Sequence, residues 1–242
     1  MGEKPLINSQ SVKQAFETIA NDWDRLREKP WAVIMDFLEK YDCINLFDDG
    51  YLLDLGCGNG RHSLLFSSRA GQVIGIDFSL NLLRIANQKR TSLQIDNISY
   101  ILADISFLPF KNESANNIIF LATLHHIPHS VNRLSALLEI KRVLNPLGNC
   151  LITTWRRWQK RFFWHFLKEI FHYLVKFESF SEFGDIYIPW TKQTGEPVQR
   201  FYHLFTQREM KKLTKKAEFQ LSLMKNFGGS TRKENIFTLV KR

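Results

Sequence analysis

Apolar residues in this chain come in short runs: "YLLDLG" from Tyr51, "QVIGID" from Gln72, "SYILAD" from Ser99, "NIIFLA" from Asn117 and "NCLITTW" from Asn149. Runs of that length, separated by stretches with helical spacing, predict a parallel sheet whose strands are linked by crossover helices. "SLNLLRIANQKR", with Ser79 as N-cap, and "VNRLSALLEIKRVLNPLG", stopped by Pro146 and Gly148, are two such helices. Ahead of the first strand, "SVKQAFETIANDWDRL" and "PWAVIMDFLEKY" predict two more. After Trp155 the pattern changes. A basic, aromatic helical segment runs to about Phe180, then the proline- and glycine-bearing "DIYIPWTKQTGEPVQ", the strand-like "RFYHLF", a lysine-rich helix "QREMKKLTKKAEF" and a final strand "NIFTLVKR". The fold class expected is α/β, one domain in three parts: helices in 1–49, a core in 50–154, and an insertion with the last two strands in 155–242.

Composition adds constraints. With 242 residues and 44% hydrophobic content the chain can bury a sizeable core. The net charge of +9 is unevenly spread: residues 155–242 hold 18 Lys and Arg against 8 Asp and Glu, while the rest is close to neutral. That asymmetry points the last third at a polyanion or an anionic surface, against the alternative of a merely solvated lysine face. The three cysteines, Cys43, Cys57 and Cys150, are scattered and lack the spacing of a disulfide framework or a zinc site, so a reducing cytoplasmic location is expected. The most apolar stretch, 162–177, is interrupted by Lys168 and Glu169 and falls short of the roughly 18 residues a membrane span requires. "MGEKPLINSQ" carries no apolar export core, and no stable membrane association is expected.

The chemistry starts at "LLDLGCGNGRH", which places Gly56, Gly58 and Gly60 between the first strand and a helix. In a doubly wound sheet that turn approaches the ligand most closely. Asp77, ending the second strand 21 residues after Gly56, is placed to accept hydrogen bonds from ribose hydroxyls. A dinucleotide and S-adenosylmethionine are the two candidates. The spacing Asp54-x-Gly-x-Gly-x-Gly departs from GxGxxG, and the Asp54 carboxylate would oppose a pyrophosphate but suits a ligand with ammonium and sulfonium charges. S-adenosylmethionine fits better. Phe78 is a candidate for the adenine face, Asp104 with Ile105 in "ADISFLP" for the adenine edge, and Leu121 at the start of "LATLHHIPH" for the reacting end.

Together these residues resemble the motifs of class I S-adenosylmethionine-dependent methyltransferases, which implies a seven-stranded sheet with an antiparallel last strand. Nearly the whole chain, through "FETIANDWDRLREKPWAVIMDFL", "ATLHHIPHSVNRLSALLEIKRVLNPLGNCLITTW" and "DIYIPW" followed by "RFYHLF", resembles the tRNA wobble-uridine carboxymethyl methyltransferases. That resemblance implies methyl-ester formation on 5-carboxymethyluridine in the anticodon and a small zinc-binding activator subunit as partner. A carboxylate acceptor is already an anion at neutral pH and needs placement rather than a general base. Arg27 and Arg200 are the candidates to clamp it, with His126, Tyr202 and His203 as supporting donors. Arg27 as a plain surface residue and Arg200 as a phosphate partner stay open as alternatives.

Arg156, Arg157, Lys160 and Arg161, interleaved with aromatic rings, are candidate RNA contacts. The rival reading of that segment is a membrane-surface helix, with a lipid or quinone as substrate. His125, His126 and His129 lack acidic or cysteine neighbours at ligand spacing, so no metal is expected. The third strand has apolar side chains on both faces and is the expected sheet edge, where a partner could add a strand.

Overall fold

The computed structural model describes residues 8–176 and 182–242. Strands β1 (Tyr51–Leu55), β2 (Gln72–Asp77), β3 (Ile98–Leu102), β4 (Ala115–Leu121) and β5 (Leu144–Trp155) are joined by β8 (Gln220–Phe227) and β9 (Asn235–Lys241) in one sheet. Its order is β3-β2-β1-β4-β5-β9-β8, parallel throughout except for β9, which runs against both neighbours. The expected seven-stranded α/β sheet is therefore present. A separate antiparallel ribbon is formed by β6 (Asp185–Thr191) and β7 (Pro197–His203).

Both faces of the sheet are buried, which explains the uninterrupted apolar runs. Leu53, Leu55, Phe120 and Ile152 pack under α5 (Ser130–Val143) and α7 (Gln207–Lys216), whose Leu137, Ile140, Met210 and Leu213 complete that core. On the opposite face Leu52, Val73, Ile119 and Leu151 meet Phe66 of α3 (Arg61–Phe66) and Ile34, Phe37 and Leu38 of α2 (Val33–Lys40). A third cluster lies outside the sheet. Val12, Phe16 and Ile19 of α1 (Ser9–Leu26) pack with Leu82 of α4 (Leu80–Ser92) and with Trp190 and Phe201 of the ribbon. This places the ribbon and α1 beside the C-terminal ends of β1 and β4, the crevice where strand order reverses.

Three elements differ from the sequence reading. Helix α5 ends at Val143, before Pro146, because a proline disfavours helical backbone in the residue preceding it and removes a donor. The chain then runs straight into β5, with a register shift against β4 between Ala115 and Asn117 that accommodates Pro146. "RFYHLF" pairs with "DIYIPWT" in the ribbon and not in the main sheet, where the place beside β9 is taken by β8. Helix α6 (Phe163–Lys176) follows β5 as expected, and its expected end near Phe180 lies outside the described residues.

Candidate active site

The turn after β1 carries three glycines with positive φ, and only one of them opens space. A Cβ on Gly56 would lie 2.3 Å from the Thr123 side chain, and one on Gly60 2.3 Å from the Tyr100 hydroxyl, so these two serve close packing. A Cβ on Gly58 (φ +55°) would find nothing closer than Trp23 Nε1 at 4.0 Å, and Gly58 lines an open cleft. Gly56, Gly58, Asp77, Phe78 and Leu121 all line that cleft, so the structure brings together five of the residues expected to hold the cofactor.

Asp77 is buried and fixes the turn. Its carboxylate accepts the Gly58 N–H and the Ser79 N–H, each at 2.8 Å, and burial, offset by these bonds, raises its pKa to about 6. Each oxygen keeps lone-pair capacity for a further donor. A strand-end carboxylate beside a floor without side chains fits a ribose with two hydroxyls, which is the part of S-adenosylmethionine expected there.

Asp54, Gly60, Asp104 and Ile105 do not line the cleft. Asp54 sits beneath the turn, 1% exposed, with a 2.6 Å bond from the Ser63 hydroxyl, and burial pushes its pKa to about 7. It anchors α3 to β1 instead of facing a ligand. Asp104 is exposed and spends one oxygen on the Ser106 N–H at 2.8 Å, a local Asx turn, while Ile105 is core.

Beside the cleft, reached through the lining residue Trp23, stands a cationic and aromatic cluster whose Arg27, Trp190, Arg200 and Tyr202 do not themselves line it. Arg200 is buried, with Cζ 4.8 Å from the Trp190 ring centroid and 5.8 Å from that of Trp23, and donates from Nη1 to the Tyr202 hydroxyl at 2.7 Å. Its Nε and the indole Nε1 of Trp190 are buried with no acceptor among the described residues. Arg27, exposed just past α1, lies 5.9 and 6.0 Å from the same two indoles. Arg61 joins them, lining the cleft with its pKa lowered to about 10 by burial and by the Arg27 charge. The nearby Asp24 is committed to Lys89 and to Asn59 Nδ2. Arg61, Trp23 and Trp190 were not singled out from the sequence. Only the position of Trp190 in "DIYIPW" signalled it.

His126 lines the cleft, and its Nδ1 meets the Phe201 carbonyl at 2.9 Å, where it can only donate. Burial lowers its pKa to about 3, so the ring is neutral and its Nε2 is an acceptor, not the donor expected. Tyr202 is fully buried, its ring stacked on Trp155 and His125, and its hydroxyl supports Arg200 from behind.

His203 and Arg157 depart from expectation. Both nitrogens of His203 are taken, Nδ1 by Asp185 at 2.7 Å and Nε2 by Glu209 at 2.6 Å, so it cannot donate to a substrate. Arg157 is buried, giving its Nε to the Leu204 carbonyl and Nη2 to Glu209, and presents no charge to an RNA. Glu182, Asp185 and His203 bring one metal-ligand atom each within 4.8 Å, but Arg133 pairs with Glu182, and the group reads as a charge-balanced lock on the ribbon. Arg156 is half-buried, with Nη1 on the Lys233 carbonyl, and Lys160 and Arg161 are exposed, Arg161 stacked 4.5 Å from the Trp155 and Phe162 centroids.

The strand order, the reversed β9 and the glycine turn with its strand-end carboxylate define a class I S-adenosylmethionine-dependent methyltransferase. The chain belongs to the methyltransferase-domain family, whose pattern matches residues 46–218. Among its relatives, the ALKBH8 tRNA (carboxymethyluridine(34)-5-O)-methyltransferase of Macaca fascicularis is 29% identical over 153 residues, 63% of this chain but only 21% of that protein's length. The tRNA (carboxymethyluridine(34)-5-O)-methyltransferase of Schizosaccharomyces pombe is 26% identical over 230 residues, covering 86% of this chain and 88% of its own. A demethylmenaquinone methyltransferase of Oceanobacillus iheyensis is 26% identical over 243 residues, 93% and 94% of the two chains. A solved methyltransferase from Methanosarcina mazei has the same fold, with a TM-score of 0.66 at 21% identity over 88% of this chain and 98% of that one. Among the described residues no helix is long and apolar enough to cross a membrane.

Proposed function

We propose that this chain methylates the carboxylate of 5-carboxymethyluridine at the wobble position of tRNA. The observation that carries the reading is the pair of buried N–H donors without a partner among the described residues, Arg200 Nε and Trp190 Nε1, in a cluster beside the cleft that also holds Arg27 and meets the cleft at Trp23. A buried donor without an acceptor costs about 1–3 kcal/mol, and a carboxylate inserted there removes that cost. The paired indoles give a planar base an apolar surface beside the charge. Gly56, Gly58 and Asp77 would hold S-adenosylmethionine, which would supply a methyl group on a cationic sulfur able to leave with the bonding electron pair. The protein's part is to hold one carboxylate oxygen by guanidinium and leave the other free to attack, with Tyr202 fixing the Arg200 fork. No proton has to move, which suits a cleft whose histidine is neutral. The relatives that bear this activity in their names support the reading.

The same reading includes a cytoplasmic location and a small zinc-binding activator adding a strand to the edge strand β3, where Leu102 is half exposed. The test is purified chain with labelled S-adenosylmethionine and tRNA carrying carboxymethyluridine, with and without activator. Label in the wobble nucleoside that mild alkali releases as methanol is expected, since esters hydrolyse and N- or C-methyl groups do not. Alkali-stable label, or none, refutes the assignment.

A second reading, a quinone-type substrate taken from a membrane surface, is favoured by exposed Phe163, Trp164 and Leu167 on α6 and by the menaquinone relative. Binding to anionic vesicles together with methylation of a quinol would establish it in place of the first.

A further inference from the structure

Helix α7 turns a purely cationic face to solvent. Arg208, Lys211, Lys212, Lys215 and Lys216 are all exposed and recur at i, i+3, i+4, i+7 and i+8, one stripe of a 3.6-residue period. Met210, Leu213, Thr214 and Ala217 are buried on the other side. The helix's single carboxylate, Glu209, is turned inward to Arg157 and His203. Among the described residues, none of the five side chains has a carboxylate partner, whereas Arg69, Lys89, Lys141, Arg142 and Arg242 elsewhere are each paired.

Such a stripe works against the helix that carries it. Arg208 with Lys212, Lys211 with Lys215, and Lys212 with Lys216 are like charges four residues apart, each disfavouring the helix, and Arg208 stands in the first turn where the helix dipole repels a cation. A helix needed only to cover the sheet would gain from a glutamate at Arg208, Lys211 or Lys212, whereas Lys215 and Lys216 suit the dipole of the last turn. The segment also starts beside the cationic and aromatic cluster. Phe205 donates its N–H to the Trp155 carbonyl and its backbone bridges that of Arg156, so the chain at Arg156, whose guanidinium reaches the Lys233 carbonyl, passes close to the N-terminal turn of α7, shortly after the strand bearing Arg200.

We infer that the α7 stripe, continued by Arg156, is the surface on which the phosphate backbone of the RNA substrate lies, an inference that rests on the tRNA reading above. A row of unpaired cations about 12 Å long has the form needed to neutralise successive phosphates without reading bases. Electrostatic docking there positions the anticodon loop relative to Arg27 and Arg200, and the charge once expected from Arg157 is supplied by α7 instead.

The test is retention of unfractionated tRNA on filters across a salt series, comparing the wild-type chain with K211Q/K212Q/K215Q/K216Q and with the control R84Q/K111Q. Glutamine keeps helix propensity, and unchanged S-adenosylmethionine binding reports an intact fold. Each lost phosphate contact lowers the slope of log K against log salt by about 0.7–0.9, so the quadruple variant should lose about 2 or more from the slope and at least about tenfold in affinity near physiological salt. The control should match wild type. The half-stripe variants K211Q/K212Q and K215Q/K216Q should each show about half the effect, which keeps the test available if the quadruple variant does not fold. An unchanged slope in all α7 variants overturns this inference alone. Absence of salt-sensitive tRNA retention by the wild-type chain overturns the substrate reading as well, and α7-dependent sedimentation with phosphatidylglycerol vesicles in place of tRNA binding assigns the stripe to a membrane and overturns it too.

Discussion

Replacing Asp77 separates the cofactor site from the fold around it. The carboxylate accepts two backbone N–H groups at 2.8 Å, one from the glycine turn and one from the residue capping α4. Asp77→Asn keeps the shape but turns one acceptor into a donor, so either Gly58 or Ser79 loses its partner and the anionic acceptor for ligand hydroxyls is gone. One hydrogen bond to a charged group contributes about 1.5–3 kcal/mol, which converts to a loss of roughly 10- to 150-fold in S-adenosylmethionine affinity. The sign of the pH effect follows. With a pKa near 6 in the free protein, the ionised form that hydroxyl donors need is depleted at pH 5, so wild-type affinity should fall as pH drops through 6 while the Asn variant should be nearly flat. Titration calorimetry of both proteins at pH 5, 6 and 8 measures this. Equal affinities, or parallel pH profiles, would remove Asp77 from the site.

Arg200→Lys and Arg27→Lys should each lower kcat/KM on carboxymethyluridine tRNA by tenfold or more while leaving cofactor affinity within about twofold, because an ammonium cannot keep the planar set of donors by which Arg200 holds Tyr202 and still presents Nε; normal turnover in both variants defeats the clamp. Gly58→Ala and Gly60→Ala should divide: the first loses cofactor affinity with a stability cost of about 1 kcal/mol from positive φ, the second loses about 1–3 kcal/mol of stability against Tyr100, and denaturant melts with matching binding curves tell them apart. Asp54, held near pH 7 against 3.8 when unfolded, binds its proton more tightly in the folded chain; that stability is complete below about pH 4 and is lost as pH rises through 7. Relative to Asp54→Asn, wild type should therefore lose roughly 2–4 kcal/mol between pH 4 and 8, and coincident stability-pH curves would contradict the assigned burial.

The cofactor half was legible because its determinants are local. Gly58 and Asp77 are set by the strand that precedes each, so strand-ending carboxylates and a glycine turn carry their geometry in the sequence itself. Asp104 shows the same local setting: its short side chain accepts the N–H of Ser106 two residues on, in a turn outside the cleft. Strand β8 was missed because "QLSLMKNF" lies at the outer edge with few buried residues and follows a lysine-rich helix, leaving a weak apolar alternation. Arg157 was misread because charge counts ignore pairing, and its partner Glu209 lies 52 residues further along the chain. Arg61 could not be chosen over other arginines until α1 and α3 were brought together.

The cationic and aromatic cluster beside the cleft is built almost wholly from parts outside the sheet. Trp23 and Arg27 come from the end of α1, and Trp190, Arg200 and Tyr202 from the ribbon, while the sheet supplies the glycine turn, Asp77 and His126. Those outside parts are held by two different forces. The α1 side rests on apolar packing of Phe16 and Ile19 with Phe201 and Trp190, whereas the ribbon's far end is pinned by the charges of Asp185, His203, Glu209 and Arg157. Apolar packing is tolerant of small shifts, but a histidine bonded through both nitrogens is not. The rigid end therefore sets the register of β7, and with it the Arg200 fork three residues away, while the softer end rests on packing that small shifts leave intact. With the cofactor cleft on the sheet and the cationic and aromatic cluster on added elements, the second can change without disturbing the first.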